Sequence, residues 1–149
     1  MIKQFQPILV VEDSDDDYEI TFRAFKKNEN LKNPIYRSET GQEALDFVFN
    51  RGKYSNPQHA PRPGIILLDL NIPGIHGIKV LKTIKEHEQY KTIPVIVFTT
   101  SENEQDIQKC YMQGANTFIT KPVELQNFFA TIKTLREYWF GAAVIPKKY

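Results

Sequence analysis

The acidic residues near the start of the chain are the first candidates for chemistry. An apolar stretch, ILVV, runs directly into EDSDDD, which supplies five carboxylates within six positions: Glu12, Asp13, Asp15, Asp16 and Asp17. Carboxylates crowded in a medium of low dielectric constant repel one another, and they persist where a cation neutralises them. Oxygen ligands without His or Cys favour Mg²⁺ or Ca²⁺ over zinc, and few protein ligands with room for water favour Mg²⁺.

Three further polar residues each end an apolar stretch later in the chain. Asp69 follows GIILL, Thr99 follows VIVF, and Lys121 follows FIT. A hydroxyl and an ammonium group beside a metal-bound carboxylate would suit the oxygens of a phosphoryl group. These residue types therefore favour metal-assisted transfer of a phosphoryl group onto Asp69.

These residues can act together if the fold brings them to one place. Short runs rich in Ile and Val, typical of strands buried on both faces of a parallel sheet, predict strands over 8–11, 65–68 and 93–98, with weaker candidates at 34–37 and 117–120. Helical spacing of apolar residues predicts helices over 15–28, 41–49, 77–87, 104–113 and 123–140. The alternation predicts an α/β fold with helices on both faces of a parallel sheet, whose functional residues gather at the carboxyl ends of the strands.

Composition narrows the classes of protein that fit. At 149 residues the chain suits one domain, and its formal net charge of +1 gives no support to a nucleic-acid-binding role. No apolar run approaches the roughly 20 residues that span a membrane, and the N-terminus lacks the apolar stretch of a signal peptide. The one cysteine, Cys110, cannot form an internal disulfide, so we expect a packing residue in a cytoplasmic protein.

Taken together, these motifs make the chain resemble the receiver domain of two-component response regulators over nearly its whole length. LVVEDSDDD, ILLDLNIPGIHG, VFTTSE and FITKPV match four landmark regions of that family in order. The resemblance implies a five-stranded parallel sheet in the order 2-1-3-4-5, flanked by five helices. It also implies a single receiver domain over 1–149, with a short extension after about residue 140 and no output domain, because ten residues after Trp139 are too few for one.

The resemblance assigns roles to the residues at the strand ends. It makes Asp69 the phosphoacceptor and Mg²⁺ the cofactor, with Asp13 as a direct metal ligand and Glu12 as a ligand through water. Asp69 itself and the backbone carbonyl of Asn71 complete the implied protein ligands.

Further residues are assigned to the switch that follows phosphorylation. By resemblance, the Thr99 hydroxyl moves to hydrogen-bond the phosphoryl group, the Lys121 ammonium pairs with that group, and Phe118 moves with Thr99. The resemblance also favours a cis peptide bond between Lys121 and Pro122.

Some positions have a structural interpretation or depart from the family pattern. Residues 15–17 are expected to complement the dipole of a helix that Ser14 caps. His76 stands where the family often has Asp, and we interpret it as a solvent-exposed loop residue. Thr100 is larger than the residue common at its position, so it is expected to narrow access to Asp69 and to affect the lifetime of the phosphate.

Aromatic residues towards the end of the last predicted helix exceed what one helix face of a monomer covers, which predicts a contact surface. In the family that the chain resembles, phosphorylation is read out on the surface formed by helix 4, strand 5 and helix 5. We therefore predict a homodimer through residues on this surface: Ile107, Tyr111, Phe128, Tyr138, Trp139 and Phe140.

The resemblance implies a stand-alone response regulator that a histidine kinase phosphorylates on Asp69, rather than an enzyme that turns over free substrates. Among stand-alone receivers, the long loop RGKYSNPQHAPRP, the motif LLDLNIPG and the pair Tyr138–Trp139 resemble the cyanobacterial phytochrome response regulators. That likeness implies a phytochrome-type kinase as the phosphodonor and light as the signal.

Three alternatives differ in function. The protein could be a phosphate sink or relay intermediate without a direct effector. It could be a small Mg²⁺-dependent phosphohydrolase with an Asp nucleophile, although Asn71 stands where such enzymes usually carry a second Asp. A flavodoxin-like cofactor binder would need a phosphate-cradling loop after the first strand, where EDSDDD would repel a phosphate.

Overall fold

The computed structural model describes residues 5–27 and 31–147, which contain a parallel sheet of five strands. Its strands are β1 (Ile8–Val11), β2 (Ile35–Ser38), β3 (Ile65–Leu68), β4 (Val95–Thr99) and β5 (Thr117–Thr120). They lie in the order β2-β1-β3-β4-β5, so the predicted fold class and strand order are confirmed. Residues 1–4, 28–30 and 148–149 belong to the predicted domain, and residue 28 to the first predicted helix, but they lie outside the described residues.

The position of each strand explains its composition. Every residue of β1, β3 and β4 is buried, whereas the edge strands β2 and β5 are largely half-buried and mix polar with apolar residues. The predicted strand 93–98 begins two residues late, at Val95. Pro94 has no N–H to donate, and the N–H of Ile93 donates instead to the carbonyl of Tyr90 at 3.0 Å.

Five α-helices alternate with the strands: α1 (Asp15–Lys26), α2 (Gly41–Phe49), α3 (Gly77–Lys85), α4 (Glu104–Met112) and α5 (Leu125–Glu137). The side-chain oxygens of Ser14, Thr40 and Asn103 each accept a hydrogen bond from a backbone N–H in the first turn of the helix that follows. Such N-caps satisfy donors that the helix itself cannot pair, which explains why α1, α2 and α4 begin where they do.

The last helix is shorter than the predicted range 123–140. α5 ends at Glu137, and the chain continues as a π-helical turn over Tyr138–Ala142. The N–H of Ala143 donates to the carbonyl of Tyr138 at 2.7 Å, which closes this wider turn.

The helices form two layers, each covering one face of the sheet. Helices α2, α3 and α4 cover one face, where Leu68 and Val97 are buried, and α1 and α5 cover the other, where Phe98 and Ile132 are buried. Cys110 is 0% exposed in the first layer, and burial raises the pKa of its thiol to about 11. The predicted packing role of Cys110 is therefore confirmed.

The long loop that contains RGKYSNPQHAPRP contacts α2. It begins at Asn50, which has a left-handed backbone with a φ of 54°, and it contains a 3₁₀ turn at Gly52–Tyr54. The ring of Tyr54 contacts the ring of Phe47 with centroids 5.3 Å apart, and the Asn50 side-chain amide donates to the carbonyls of Tyr54 and Ala60. These contacts hold the loop on the domain.

Two further properties concern the described residues as a whole. None of their helices is both long enough and apolar enough to cross a membrane. None of their peptide bonds is cis, so the expectation of a cis bond between Lys121 and Pro122 is wrong. The trans isomer is the one that most X–Pro bonds adopt in folded proteins.

Replacing Ile132 with Ala is expected to lower the free energy of unfolding by about 2–5 kcal/mol, because its 0%-exposed side chain would leave a cavity under α5. Leu125 lies on the same helix and is 56% exposed, so Leu125→Ala is the matched control, with an expected change within about 0.5 kcal/mol. Urea denaturation followed by circular dichroism measures both values. Equal losses in the two variants would contradict the described packing of α5.

Candidate functional site

The carboxyl ends of β1, β3, β4 and β5 place the candidate residues at one edge of the sheet. The N–H of Asp69 donates to the carbonyl of Val11 at 3.1 Å, which joins the end of β3 to the end of β1. The N–H of Lys121 donates to the carbonyl of Thr99 at 2.6 Å, which joins the ends of β5 and β4. Neighbouring parallel strands therefore bring together residues that are far apart in sequence.

Three carboxylates form a cluster at this edge. Glu12, Asp13 and Asp69 each offer an oxygen, and these oxygens lie within 4.8 Å of one another. Glu12 and Asp69 are buried, whereas Asp13 is exposed, so one side of the cluster is open to water. A set of hard oxygen donors with an open side fits a divalent cation such as Mg²⁺ or Mn²⁺. The backbone N–H of Asn71 donates to Asp69 Oδ1 at 3.2 Å, which places Asn71 beside the cluster.

Lys121 is the cation of this cluster. Its side chain is 4% exposed, and its Nζ donates to Asp69 Oδ2 at 2.8 Å, to Asp17 Oδ2 at 2.8 Å and to Glu12 Oε1. An ammonium group has three hydrogens to donate, so these three carboxylates satisfy all of them. The ion pairs compensate for burying the charges of Lys121, Glu12 and Asp69.

Asp17 belongs to this network, although its place in the first turn of a helix predicts only an interaction with the helix dipole. The expected cap is present, since the Ser14 hydroxyl accepts a hydrogen bond from the N–H of Asp17 at 3.2 Å. The side chain of Asp17, however, pairs with Lys121. Helical spacing was the available signal, because Asp17 precedes the buried residues Thr21 and Phe25 by four and eight positions and so shares their face.

The pKa values of the two buried carboxyl groups, Glu12 and Asp69, shift in opposite directions. Burial acts to raise the pKa of Asp69, but hydrogen bonding and charge from Lys121, with hydrogen bonds from Asn71 and Thr99, hold that pKa below its usual value. Burial outweighs the influence of Lys121 at Glu12 and raises the pKa of Glu12 to about 7. Burial disfavours the charged form of Lys121, but hydrogen bonds to the three carboxylates keep its pKa above the usual range. Asp69 is therefore an ionised carboxylate held by a charged lysine.

Binding of a divalent ion near neutral pH is expected to displace a proton from Glu12. A metal ligand must be deprotonated, so the metal affinity should rise from about pH 6 to about pH 8. In the metal-free protein, the same pKa shift lowers the stability as the pH rises from 4.5 to about 7, because the folded state then binds more protons than the unfolded state.

Calorimetry in buffers of different ionisation enthalpy measures how many protons are released when the metal binds. The heat of metal binding should depend on the buffer for the wild-type chain and should not depend on it for Glu12→Gln, which has no proton to release. A buffer-independent heat for the wild type would show that Glu12 is already ionised before the metal binds.

Thr99 and Phe118, the residues predicted to form a switch, lie on the paired strands β4 and β5. Thr99 is 0% exposed, and a hydrogen bond from its side chain is among the influences that lower the pKa of Asp69. Phe118 is half-buried, and its backbone N–H donates to the hydroxyl of Tyr111 at 3.1 Å, which ties β5 to α4. Thr100, the next residue after Thr99, is exposed.

The His76–Gly77 pair shapes the loop that follows Asp69. His76 is exposed, as predicted, and its Nδ1 also accepts a hydrogen bond from the N–H of Ile78 at 3.2 Å and so caps α3. A Cβ on Gly77 would lie 2.5 Å from the Asp69 carbonyl oxygen and 2.5 Å from Leu70 Cα. Gly77 is therefore required for the close approach of α3 to the backbone of Asp69 and Leu70.

The structure divides the residues predicted for a dimer surface. Tyr111 and Tyr138 are 50% and 55% exposed, and Ile107 and Phe140 are half-buried. Phe128 and Trp139 are 4% and 9% exposed, so their assignment to an exposed surface is wrong. Both pack into the core between α1, α5 and the sheet, where the ring of Phe128 meets that of Phe98 edge to face at 5.1 Å.

The sequence of the chain is similar to those of known response regulators. The family model of the response regulator receiver domain matches residues 8–133. The chain is 34% identical over 139 residues to response regulator Rcp1 of Synechocystis, and the match covers 93% of this chain and 92% of Rcp1.

Two solved structures show the same likeness. The phosphorylated cyanobacterial phytochrome response regulator RcpA matches with a TM-score of 0.91 and 35% identity, covering 97% of this chain and 100% of RcpA. The Mn²⁺-bound form of Rcp1 matches with a TM-score of 0.89 and 33% identity, covering 95% of this chain and 99% of Rcp1. Since the family model spans most of the sequence and the acidic edge has the geometry described above, the chain belongs to the response regulator receiver family.

Proposed function

We propose that the protein is a response regulator that accepts a phosphoryl group on Asp69 from a histidine kinase. The observation that carries the proposal is the state of Asp69, a buried and ionised carboxylate held by Lys121 at 2.8 Å within a cluster of two further carboxylates. Mg²⁺ would be held by Glu12, Asp13, Asp69 and the backbone carbonyl of Asn71. When bound, the ion supplies the positive charge that neutralises the oxygens of the transferred group.

The residues of the chain account for the remaining chemistry. A carboxylate oxygen of Asp69 forms the new P–O bond while the bond from phosphorus to the donor nitrogen breaks and its electron pair leaves with the donor. Lys121 pairs with the phosphoryl oxygens, and Thr99 turns its hydroxyl towards them. The side chain of Asn71 has no carboxylate that could act as an acid or a base. This absence favours a protein that is itself phosphorylated and argues against a phosphohydrolase that turns over free substrates.

Phosphorylation adds a charge of roughly −1.5 to −2 at Asp69. The resulting movement of Thr99 would displace Phe118 on β5 and so change the surface of the protein. The hydrogen bond from the Phe118 N–H to Tyr111 joins β5 to α4, so a displacement of Phe118 would alter the contact between these two elements. We propose that this surface, formed by α4, β5 and α5, changes on phosphorylation and mediates a homodimer.

Replacing Tyr138 with Glu is expected to dissociate the proposed dimer, because it puts a charge where a 55%-exposed aromatic side chain would meet its partner. Phe22→Glu is the matched control, since Phe22 is a 39%-exposed aromatic residue on α1, which is not one of the three elements of this surface. Light scattering with size-exclusion chromatography, with and without a small acyl phosphate, gives the oligomeric state. A wild-type chain that stays monomeric in both states would rule the dimer out, and a phosphorylation-dependent change would argue against a passive phosphate sink.

The similarity to RcpA and Rcp1 over nearly their whole length supports the finer parts of the proposal. These are a stand-alone receiver, a cytoplasmic location and a phytochrome-type kinase that responds to light. The test is phosphotransfer from a purified phytochrome-type kinase that has been autophosphorylated with labelled ATP. Label should move to the chain within minutes in Mg²⁺, more slowly from an unrelated histidine kinase, and not at all in excess chelator.

The outcomes separate the coarse proposal from the fine one. Faster phosphoryl transfer from an unrelated histidine kinase than from the phytochrome-type kinase would contradict the proposed phytochrome partner. The proposed receiver function would still hold. No label from any kinase and no adduct with an acyl phosphate, while a divalent ion binds, would contradict the proposed function as a whole.

A further inference from the structure

We propose that Arg37 is a positioning residue that holds the loop between β1 and α1 in its metal-binding conformation. Arg37 lies on the edge strand β2, and its side chain is 21% exposed. Its Nε donates to the carbonyl of Glu12 at 3.0 Å, and its Nη2 donates to the carbonyl of Asp13 at 3.3 Å. This inference rests on the proposed metal site, because both carbonyls belong to its ligand residues.

The two carbonyls flank the α-carbon of Asp13. The Glu12 carbonyl belongs to the peptide group before that carbon, and the Asp13 carbonyl belongs to the peptide group after it. Fixing both peptide groups fixes both backbone dihedral angles of Asp13. Asp13 lies beyond the end of β1 and is exposed, so the strand ladder and the core do not fix its position in the way they fix Glu12 and Asp69.

The guanidinium group is itself held on several sides. Its Nη1 pairs with Asp15 Oδ1 at 2.8 Å, and its Nη2 approaches Glu39 Oε1 at 3.4 Å. The face of the group stacks on the ring of Tyr18, with Cζ 4.6 Å from the ring centroid. A planar group with five donors can make all of these contacts at once, whereas a lysine ammonium cannot reproduce the fork or the stacking.

Charge alone predicts the opposite effect on the metal. A guanidinium group beside a cation site repels the cation, so its removal should strengthen metal binding if Arg37 acted through its charge. If Arg37 acts by positioning Asp13, its removal should weaken metal binding although the repelling charge is gone. The sign of the change in affinity therefore distinguishes the two roles.

The test compares Arg37→Gln and Arg37→Lys with the wild-type chain. Arg51→Gln is the matched control, because Arg51 also pairs with a carboxylate, Asp46 at 3.6 Å, and also stacks on a ring, that of Phe49 at 4.9 Å. Calorimetry with Mn²⁺ alone measures the affinity. Amide hydrogen exchange in excess chelator measures, without metal, the order of residues 13–16, which form the end of the loop and the start of α1.

Arg37→Gln is expected to weaken Mn²⁺ binding about tenfold and to speed exchange over 13–16, while exchange in β3 and α5 stays unchanged. Arg37→Lys should show the same direction although it keeps the charge, and Arg51→Gln should match the wild type. Unchanged or tighter binding in Arg37→Gln, or full rescue by Arg37→Lys, overturns the proposal.

The proposed function can fail separately from this inference. If the wild-type chain bound no divalent ion, the proposed function would lose its metal. The exchange measurement in chelator would still decide the role of Arg37. Faster exchange over 13–16 in both Arg37 variants would support it, and exchange equal to that of the wild type would overturn it.

Discussion

The Asp69→Asn variant is expected to accept no phosphoryl group from a small acyl phosphate in the presence of Mg²⁺. The amide has nearly the shape of the carboxylate but lacks the anionic oxygen that forms the bond to phosphorus. Intact-mass spectrometry should therefore show one phosphoryl group on the wild-type chain and none on the variant.

Asp16→Asn is the matched control for this experiment. Asp16 lies in the same acidic segment and is exposed, so its variant should be phosphorylated like the wild type. An adduct that persists in Asp69→Asn would show that another carboxylate is the acceptor.

The Lys121→Met variant is expected to lose roughly 3–5 kcal/mol of unfolding free energy near neutral pH in chelator, because buried carboxylates would lose their cation. In the wild type, the pKa of Lys121 is raised above 10.5 in the folded state, so the stabilisation is fully present at neutral pH and is lost only as the pH rises through that higher pKa.

The loss in Lys121→Met should depend on pH and on metal. Without the ammonium group, burial and repulsion raise the pKa values of Glu12 and Asp69, so the variant becomes less stable as the pH rises. The difference from the wild type should therefore grow from about pH 5 to about pH 8 and shrink when Mg²⁺ is added.

Urea denaturation measures this difference. Lys91→Met is the matched control, because Lys91 pairs with Glu88 at 3.0 Å on the surface and should contribute about 0–1 kcal/mol. A loss in Lys121→Met that is the same at both pH values would contradict the described charge network.

Much of the fold and the central site follows from local sequence pattern. The runs at 8–11 and 65–68 are strands with the predicted bounds, because an apolar run that stops at a polar residue marks both the buried strand and its functional end. The weaker candidate at 117–120, which mixes polar with apolar residues, is also a strand with the predicted bounds. The cluster of Glu12, Asp13 and Asp69 follows once β1 and β3 are neighbours.

Other features depend on contacts between distant elements and could not be predicted from local pattern. The pairing of Asp17 with Lys121 joins α1 to the end of β5, and the contacts of Arg37 join β2 to the loop after β1. The burial of Phe128 and Trp139 is a second example. Both rings cover the sheet face beside α5, and the spacing of aromatic residues along one helix does not reveal that contact. The π-helical turn that carries Trp139 had no recognised signal either.

The most direct test of the proposed function is to locate the phosphoryl group on the wild-type chain. The chain would be phosphorylated with an acyl phosphate in Mg²⁺ and then reduced with borohydride, which converts an aspartyl phosphate to homoserine, and its peptides would be sequenced by mass spectrometry. If Asp69 is the phosphoacceptor, conversion should occur at Asp69 alone. Conversion at Asp13 or at any of residues 15–17, or no conversion while Mg²⁺ is bound, would contradict it.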